Sequence, residues 1–163
     1  MDESQRKKCY SYSIRLLGKK DYSHYKMRQK LLQRDYERET VEDVMSEIIE
    51  KKYLREDLYI EARIKGFIRK GYNPQAISYR LSQEKCYASI EEIMAIYEQI
   101  ESDPDQQLRE LILKKVRIDY DFVKDKEKLR QKTLRYVASR GHPIGEASRL
   151  YSSVLENYLN EIQ

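Results

Sequence analysis

The chain has 163 residues, of which 40% are hydrophobic and 37% are charged, and its mean hydropathy is −0.88. This composition argues against a membrane-spanning protein, because no window approaches the roughly 20 apolar residues that cross a bilayer. With only 5 Gly and 3 Pro, it favours thin layers of helices joined by short turns. We therefore expect an all-α, cytoplasmic protein.

The charges are distributed in blocks, although the net charge of +4 is too small to indicate a nucleic-acid partner. Lys and Arg dominate residues 1–36, 63–85 and 111–140, whereas Asp and Glu dominate the segments between and after them. The three basic blocks begin about 50 residues apart. This alternation predicts an internal repeat.

The first predicted repeat covers residues 1–53 and contains three helices. The first helix is expected over about 4–19, and the second follows Ser23, with either Asp21 or Ser23 able to cap it. The apolar positions at helical spacing are Ile14 and Leu17, then Met27 and Leu31, then Val41, Val44 and Ile48. Each set lies on one face of its helix.

The second and third predicted repeats cover residues 54–102 and 103–163. They begin with helices over about 56–70 and about 105–117, each followed by two amphipathic runs. The second repeat has its apolar positions at Leu58, Ala62, Phe67 or Ile68, Ile77, Leu81, Cys86, Ile90, Ile93 and Tyr97. The third has them at Leu108, Leu111, Ile112, Val137, Ala147, Leu150 and Val154, with Thr133 as a poor match. One repeat is too small to bury much core alone, so neighbouring repeats are expected to stack.

The segment "RKGYNPQAISYRL" (69–81) interrupts the helical pattern with a Gly, an Asn and a Pro. Gly71 can end a helix in the left-handed conformation. Asn73 is a good N-cap and Pro74 a good first helical residue. Gly141 separates two helices of the third repeat in the same style. We interpret these four residues as a structural hinge, with a phosphate-binding loop as the alternative.

No motif in the sequence indicates catalysis. Neither GxxxxGK[ST] nor GxGxxG occurs, so nucleotide handling would belong to a partner. His24 is interpreted as a solvated first-turn residue and His142 as a half-buried substitute for an aromatic. Cys9 and Cys86 are interpreted as reduced packing residues. We predict no catalytic residue, no cofactor and no metal site.

Four segments, in chain order, carry a resemblance to the RecX family of bacterial regulators. They are "LLGKKDYSHYKMRQKLLQRDY" (16–36), "KKYLREDLY" (51–59), "RKGYNPQAISYRL" (69–81) and "LRYVASRG" (134–141). The sequence departs from the family pattern at six positions. Lys52 and Asn73 stand where members commonly have Gly, Arg55 where they have Asp, and Phe67 where they have Arg. Ala76 stands where a basic residue is common, and His142 where an aromatic is common.

The resemblance implies three tandem three-helix repeats forming an elongated, curved, all-helical array. It also implies binding to the recombinase RecA and its nucleoprotein filament on single-stranded DNA. Its expected effect there is to modulate, in the inhibitory direction, ATP hydrolysis and strand exchange in homologous recombination and the DNA-damage response. We expect a monomer without enzyme activity, with no membrane contact and at most a weak contact to the DNA backbone.

The basic blocks supply the predicted partner-binding residues. In each repeat the first two helices carry Lys and Arg and the third carries acid, so stacked repeats would form a basic ridge. The predicted contacts to the filament or to phosphates are Arg28, Lys30 and Arg34, then Arg69, Lys70, Arg80 and Lys85, then Lys132, Arg135 and Arg140. An ordinary mixed-charge surface, with opposite signs pairing between helices, is the alternative interpretation.

Two further alternatives stay open. One is a DNA-binding protein whose helix-turn-helix-like repeats and basic helices contact the phosphate backbone. The other concerns the tyrosines that are interleaved with cations in the first repeat. These tyrosines could pack between helices, contact a protein or stack on single-stranded bases. They are Tyr10, Tyr12, Tyr22, Tyr25 and Tyr36.

Overall fold

The computed structural model describes residues 2–162. Within these residues the chain forms nine helices and no strand, which confirms the all-α prediction. The helices are α1 (Glu3–Leu17), α2 (His24–Leu32), α3 (Arg38–Glu50), α4 (Glu56–Arg69), α5 (Pro74–Gln83), α6 (Ile90–Gln99), α7 (Pro104–Asp119), α8 (Lys126–Ala138) and α9 (Ile144–Glu161).

Polar side chains set where several of these helices begin. Ser23 accepts a hydrogen bond from the backbone of Lys26 at the start of α2. Ser89 and Glu92 form a reciprocal capping box at the start of α6. Asp103 accepts two first-turn N–H groups of α7, which begins with a proline. Such caps satisfy backbone donors that have no partner inside the helix.

The helices pack into two compact units. The first unit comprises the residues up to Arg63 together with Leu81–Tyr87, and the second comprises Ile64–Arg80 together with the residues from Ala88 onward. The helices α4 and α5 are therefore each divided between the two units, whereas α6 belongs to the second unit. The division of the chain into three repeats stays a prediction.

The core of the first unit uses the predicted apolar faces of α2 and α3. Its buried members are Cys9, Tyr22, Met27, Leu31, Val41, Val44, Met45, Ile48 and Leu54. In α1, however, the fully buried positions are Cys9 and Ser13. Ile14 and Leu17, which the periodicity placed on the core face, are only partly buried against this cluster.

One hydrophobic cluster of the second unit is built from α7, α8 and α9. Its buried members are Leu108, Leu111, Ile112, Val116, Leu134, Val137, Ala147, Tyr151 and Val154. Thr133, the poor apolar match, is nevertheless fully buried. Its hydroxyl donates a hydrogen bond to the Leu129 carbonyl at 2.9 Å, so the buried polar group is satisfied within α8.

The predicted apolar face of α4 is partly wrong. Leu58 remains 38% exposed, and Ala62 is exposed as well. The buried residues of this helix are Tyr59, Ile64, Phe67 and Ile68. Apolar residues occur on more than one side of α4, so periodicity alone did not define which side is buried.

Candidate partner-binding surface

Five side chains of the second unit form a continuous series of cation–aromatic contacts. The guanidinium carbon of Arg80 lies 4.1 Å from the centre of the Tyr72 ring, and that of Arg140 lies 5.3 Å from the same ring. Arg140 is also 4.5 Å from the Tyr136 ring centre, and the Lys115 ammonium lies 5.2 Å from it. We call these five residues the cation–aromatic ladder. Each contact restrains a cation, and such an interaction typically contributes about 0.5–1 kcal/mol of stabilisation at an exposed site.

Two turns bring the ladder together. Gly71 follows α4 with a left-handed φ of +83°, and Gly141 follows α8 with a φ of +87°. The Asn73 backbone N–H donates to the Arg140 carbonyl at 2.9 Å, and its side-chain amide donates to the Gly141 carbonyl. The Asn73 side-chain oxygen accepts from the Ala76 N–H at 2.8 Å. One asparagine therefore caps α5 and connects the two turns. The conformations of this segment are defined, but its action as a hinge stays a prediction.

Buried polar groups hold the first turn from its inner side. His142 is buried rather than half-buried, and its Nε2 lies 2.9 Å from the Gly71 carbonyl oxygen. A carbonyl can only accept, so Nε2 carries the proton. Burial lowers the pKa of His142, although the bond to Gly71 opposes this, and the ring is neutral near pH 7. The Tyr97 hydroxyl donates to the Tyr72 carbonyl at 2.7 Å, and burial raises the pKa of Tyr97 to about 12.

A groove of about 740 Å³ lies in the same unit. Charged side chains of both signs line it: Arg69, Lys70, Lys114 and Arg140 together with Glu101, Asp103 and Glu110. A polyphosphate would meet both attraction and repulsion in such a groove. The mixed lining is better suited to the charged surface of a protein.

Four of the predicted contact residues meet at this part of the second unit. Arg69, Lys70 and Arg140 line the groove, and Arg80 forms one end of the ladder. The Arg140 side chain also donates to the Lys70 carbonyl at 3.4 Å. The groove and the ladder thus share Arg140.

The other two predicted residues of the second unit have different surroundings. Lys132 forms an ion pair with Asp119 at 2.8 Å, and Asp119 also pairs with Lys115 of the ladder at 3.0 Å. Hydrogen bonds from Lys132 and Lys115, opposed by burial, lower the pKa of Asp119. Arg135 is exposed and lines a small pocket with Ile144.

The remaining four predicted contacts lie in the first unit. Arg28 donates two hydrogen bonds to the Glu42 carboxylate, at 2.7 and 3.1 Å. This bidentate pair engages two of the five N–H donors of the Arg28 guanidinium. Lys30, Arg34 and Lys85 are exposed. Which of the predicted cations contact a partner stays a prediction.

The aromatic half of the ladder was not recognised in the sequence. Tyr136 lies in the last turn of α8 and Arg140 follows that helix four residues later, close to the spacing at which helical side chains meet, and this signal could have identified that pair. Tyr72 and Lys115 come from other parts of the chain. No local spacing connects them to the rest of the ladder.

A cluster of hydrogen-bonded ionisable side chains surrounds Glu84 in the first unit. The Glu84 carboxylate accepts from Lys26 at 3.0 Å, from the Tyr59 hydroxyl at 2.8 Å, and from both Arg63 donors that face it. Burial opposes ionisation, but the hydrogen bonds from Arg63, Lys26 and Tyr59 outweigh it and hold the pKa of Glu84 at about 2. This single carboxylate joins residues of α2 and α4 to the end of α5.

Acid is expected to weaken the first unit through Glu84. Its folded-state pKa of about 2 lies below the ordinary value of 4.5, so its stabilisation is complete above pH 4.5 and is lost as pH falls towards 2. The full shift corresponds to roughly 3 kcal/mol, which we discount to about 1–2 kcal/mol because the partners are partly solvent-screened. Urea unfolding at pH 7, 4 and 2.5 measures this loss.

The matched variants for this measurement are Glu84→Gln and the exposed-site control Glu98→Gln. E84Q is expected to be less stable than wild type at pH 7 and to approach it at pH 2.5. E98Q is expected to follow wild type throughout. A constant difference between E84Q and wild type at every pH would contradict the assigned titration.

Within 2–162, no group of three or more His, Cys, Asp or Glu side chains is placed to hold a metal ion. Burial raises the pKa of Cys9 to about 11, so this thiol is neutral near pH 7. None of the helices in this range combines the length and apolar character needed to cross a membrane.

Comparisons with known proteins find relatives that share one description. A family profile described as "RecX, first three-helix domain" matches residues 9–47. The chain is 30% identical over 134 residues to the regulatory protein RecX of Haemophilus ducreyi, covering 80% of this chain and 82% of that protein. It is 26% identical over 145 residues to the regulatory protein RecX of Haemophilus influenzae, covering 87% and 91%. The crystal structure of RecX from Lactobacillus salivarius has a TM-score of 0.70 at 12% identity, covering 93% of this chain and 97% of that one.

The structural likeness and the sequence likeness support different conclusions. The likeness to the Lactobacillus salivarius structure, at 12% identity, shows a shared fold. The Haemophilus ducreyi protein is similar at 30% identity over most of both chains, which shows common family membership. The chain belongs to the RecX family of regulatory proteins.

Proposed function

We propose that the protein binds the recombinase RecA and its nucleoprotein filament on single-stranded DNA, and that it lowers ATP hydrolysis and strand exchange there. Membership in a family of regulatory proteins carries this proposal. The action is binding rather than catalysis, so no catalytic residue is assigned.

The mixed-charge groove and the ladder support a protein partner. Arg69, Lys70, Arg80 and Arg140 lie at or beside a groove that also contains carboxylates. A repetitive filament offers the same complementary charges on successive subunits. Several modest contacts made by one monomer then add through effective concentration, without a single deep pocket. To change the activity of the filament, the protein must bind one of its states more tightly than the other.

The test is the ATPase rate of the recombinase on single-stranded DNA as this protein is titrated in. We expect the rate to fall in a saturable manner, and the half-maximal concentration to rise with salt because charge contacts contribute to binding. An equal concentration of an unrelated protein of similar net charge serves as the control. An unchanged rate at saturating protein would contradict the proposal.

A DNA-binding function remains the second candidate, because a groove of the first unit is lined by exposed cations and partly buried tyrosines. That function requires tight binding to bare duplex DNA that persists at physiological salt. A gel shift with bare single- and double-stranded DNA at low and physiological salt distinguishes the two. Tight, salt-resistant binding would favour the second candidate over recombinase regulation.

A further inference from the structure

The charges of the groove in the second unit follow a defined order along α7. The acidic end lies at the start of that helix, where Glu101 precedes it and Asp103 caps it. The basic end contains Lys114, further along the same helix. The helical rise between Asp103 and Lys114 places the two ends about 16 Å apart.

The opposite wall of the groove supports this order. The Ile68 carbonyl accepts a hydrogen bond from the Gln107 amide at 2.8 Å, so the end of α4 lies beside the first half of α7. Arg140 lies further along, because its guanidinium carbon and the Lys115 ammonium contact the same Tyr136 ring, at 4.5 and 5.2 Å from its centre. Arg140 is therefore beside the basic end of the groove.

The end charges differ from those between them in their bonding within the chain. Glu101 and Lys114 are exposed, and within residues 2–162 neither side chain forms an ion pair or a hydrogen bond. Glu110, between them, accepts a hydrogen bond from the Gln106 amide at 2.9 Å. The Asp103 carboxylate accepts two N–H groups at the start of α7. Glu101 and Lys114 are therefore available charges of opposite sign at the two ends.

This order of charges discriminates between classes of partner. A polyanion such as a nucleic acid is attracted by Lys114 and Arg140 but repelled by Glu101. A segment with a cation and a carboxylate about 16 Å apart, or about three helical turns, is attracted at both ends. A segment with the wrong sign at either end meets repulsion there, which gives specificity rather than affinity alone.

We propose that the groove binds a bipolar segment of a protein partner, with a cation of that segment at Glu101 and a carboxylate at Lys114 and Arg140. The inference rests on the proposed function in taking the recombinase as the partner. It adds what the recombinase must present, which is opposite charges about 16 Å apart on one segment.

The test is charge reversal at each end of the groove, in Lys114→Glu and Glu101→Lys. The readout is the dissociation constant for recombinase filaments assembled on immobilised oligo(dT), measured by biolayer interferometry. Each variant is expected to bind roughly three- to tenfold more weakly than wild type. The Glu101→Lys result separates the alternatives, because this change makes the protein more positive and would strengthen its attraction to any polyanion.

The matched controls are Glu98→Lys and Lys124→Glu. They make the same two charge changes at exposed residues of the second unit that do not line the groove. Each should bind filaments within about twofold of wild type, since isolated surface charges contribute little. Circular dichroism checks that all four variants keep their helices.

A second measurement contains no recombinase. Two alanine-rich helical peptides of about 15 residues have the same composition. One carries its Glu residues at one end and its Lys residues at the other, and the second peptide intersperses them. In a nuclear magnetic resonance titration of the full chain, the segregated peptide should bind roughly threefold more tightly. Lys114→Glu should remove that preference.

Three results would overturn the proposal. They are tighter filament binding by Glu101→Lys, groove variants that bind filaments as their controls do, and equal affinity of the full chain for the two peptides. A chain that bound no filament but preferred the segregated peptide would contradict the recombinase function and support the bipolar groove. The failure of one is therefore distinguishable from the failure of the other.

Discussion

Replacing Gly141 with alanine is expected to lower the free energy of unfolding by about 2–4 kcal/mol, through backbone strain and steric overlap together. Gly141 has a φ of +87°, and a Cβ there would lie 2.5 Å from the Asn73 side-chain oxygen and 2.6 Å from the Ala76 Cβ. That oxygen caps α5, so it cannot withdraw without losing its hydrogen bond. The measurement is urea unfolding followed by circular dichroism.

Gly71→Ala is expected to have a smaller effect at a similar backbone angle. Its φ is +83°, and the atoms nearest an added Cβ belong to the Leu111 side chain, at 2.6 and 2.9 Å. The end of a leucine can change rotamer, whereas the Asn73 amide at Gly141 is held by its hydrogen bonds. The backbone strain remains in both variants.

The matched controls are Gly66→Ala in α4 and Gly145→Ala in α9. An added Cβ meets nothing within 4 Å at either position, and alanine is a better helix former than glycine. Both variants should be as stable as wild type or more stable by up to about 1 kcal/mol. If Gly141→Ala unfolded at the same urea concentration as these controls, the turn would not be constrained in the way described.

The second large effect concerns the proposed recombinase contact. Reversing two charges in Arg69→Glu/Lys70→Glu is expected to raise the concentration needed for half-maximal inhibition of the recombinase ATPase by roughly 10- to 30-fold. Both residues are exposed and line the mixed-charge groove, so reversal turns attraction into repulsion on every filament subunit that the groove contacts. A pull-down with the recombinase provides an independent readout.

The control for this variant is Arg109→Glu/Arg149→Glu, which makes the same change at two exposed arginines of the second unit outside the groove and the ladder. It should retain inhibition within about twofold of wild type, since isolated surface charges contribute little. Circular dichroism checks that both double variants keep their helices. Equal losses in the two variants would indicate attraction to net charge alone and would contradict a localised contact.

Much of the fold could be predicted from the local spacing of apolar residues in the sequence. Met27, Leu31 and Val44 were identified by helical spacing and are fully buried. Periodicity works there because the opposite faces of α2 and α3 are polar. It failed on α4, where Leu58 is exposed and Tyr59 is buried, because apolar residues on more than one side leave the choice of face to the packing.

The candidate surface could be predicted only in part. The sequence indicated that Arg28 and Arg140 were available cations, but nothing local distinguished them. Arg28 is bound by Glu42, 14 residues away. Arg140 is placed beside Tyr72 by the turn contact between Asn73 and Gly141, which are 68 residues apart. Identical residue types thus acquire different contacts from distant neighbours.

By itself, the sequence determined the helical class, most helix boundaries and most buried positions, because these depend on residue spacing and caps within a few turns. The tertiary structure decided which cations are engaged and which are presented to solvent. It did so through contacts between distant segments, such as Lys26 with Glu84, 58 residues apart. The charge of a side chain indicates only that it is polar. Which ion-pair partner, aromatic ring or groove it contacts is decided by tertiary packing.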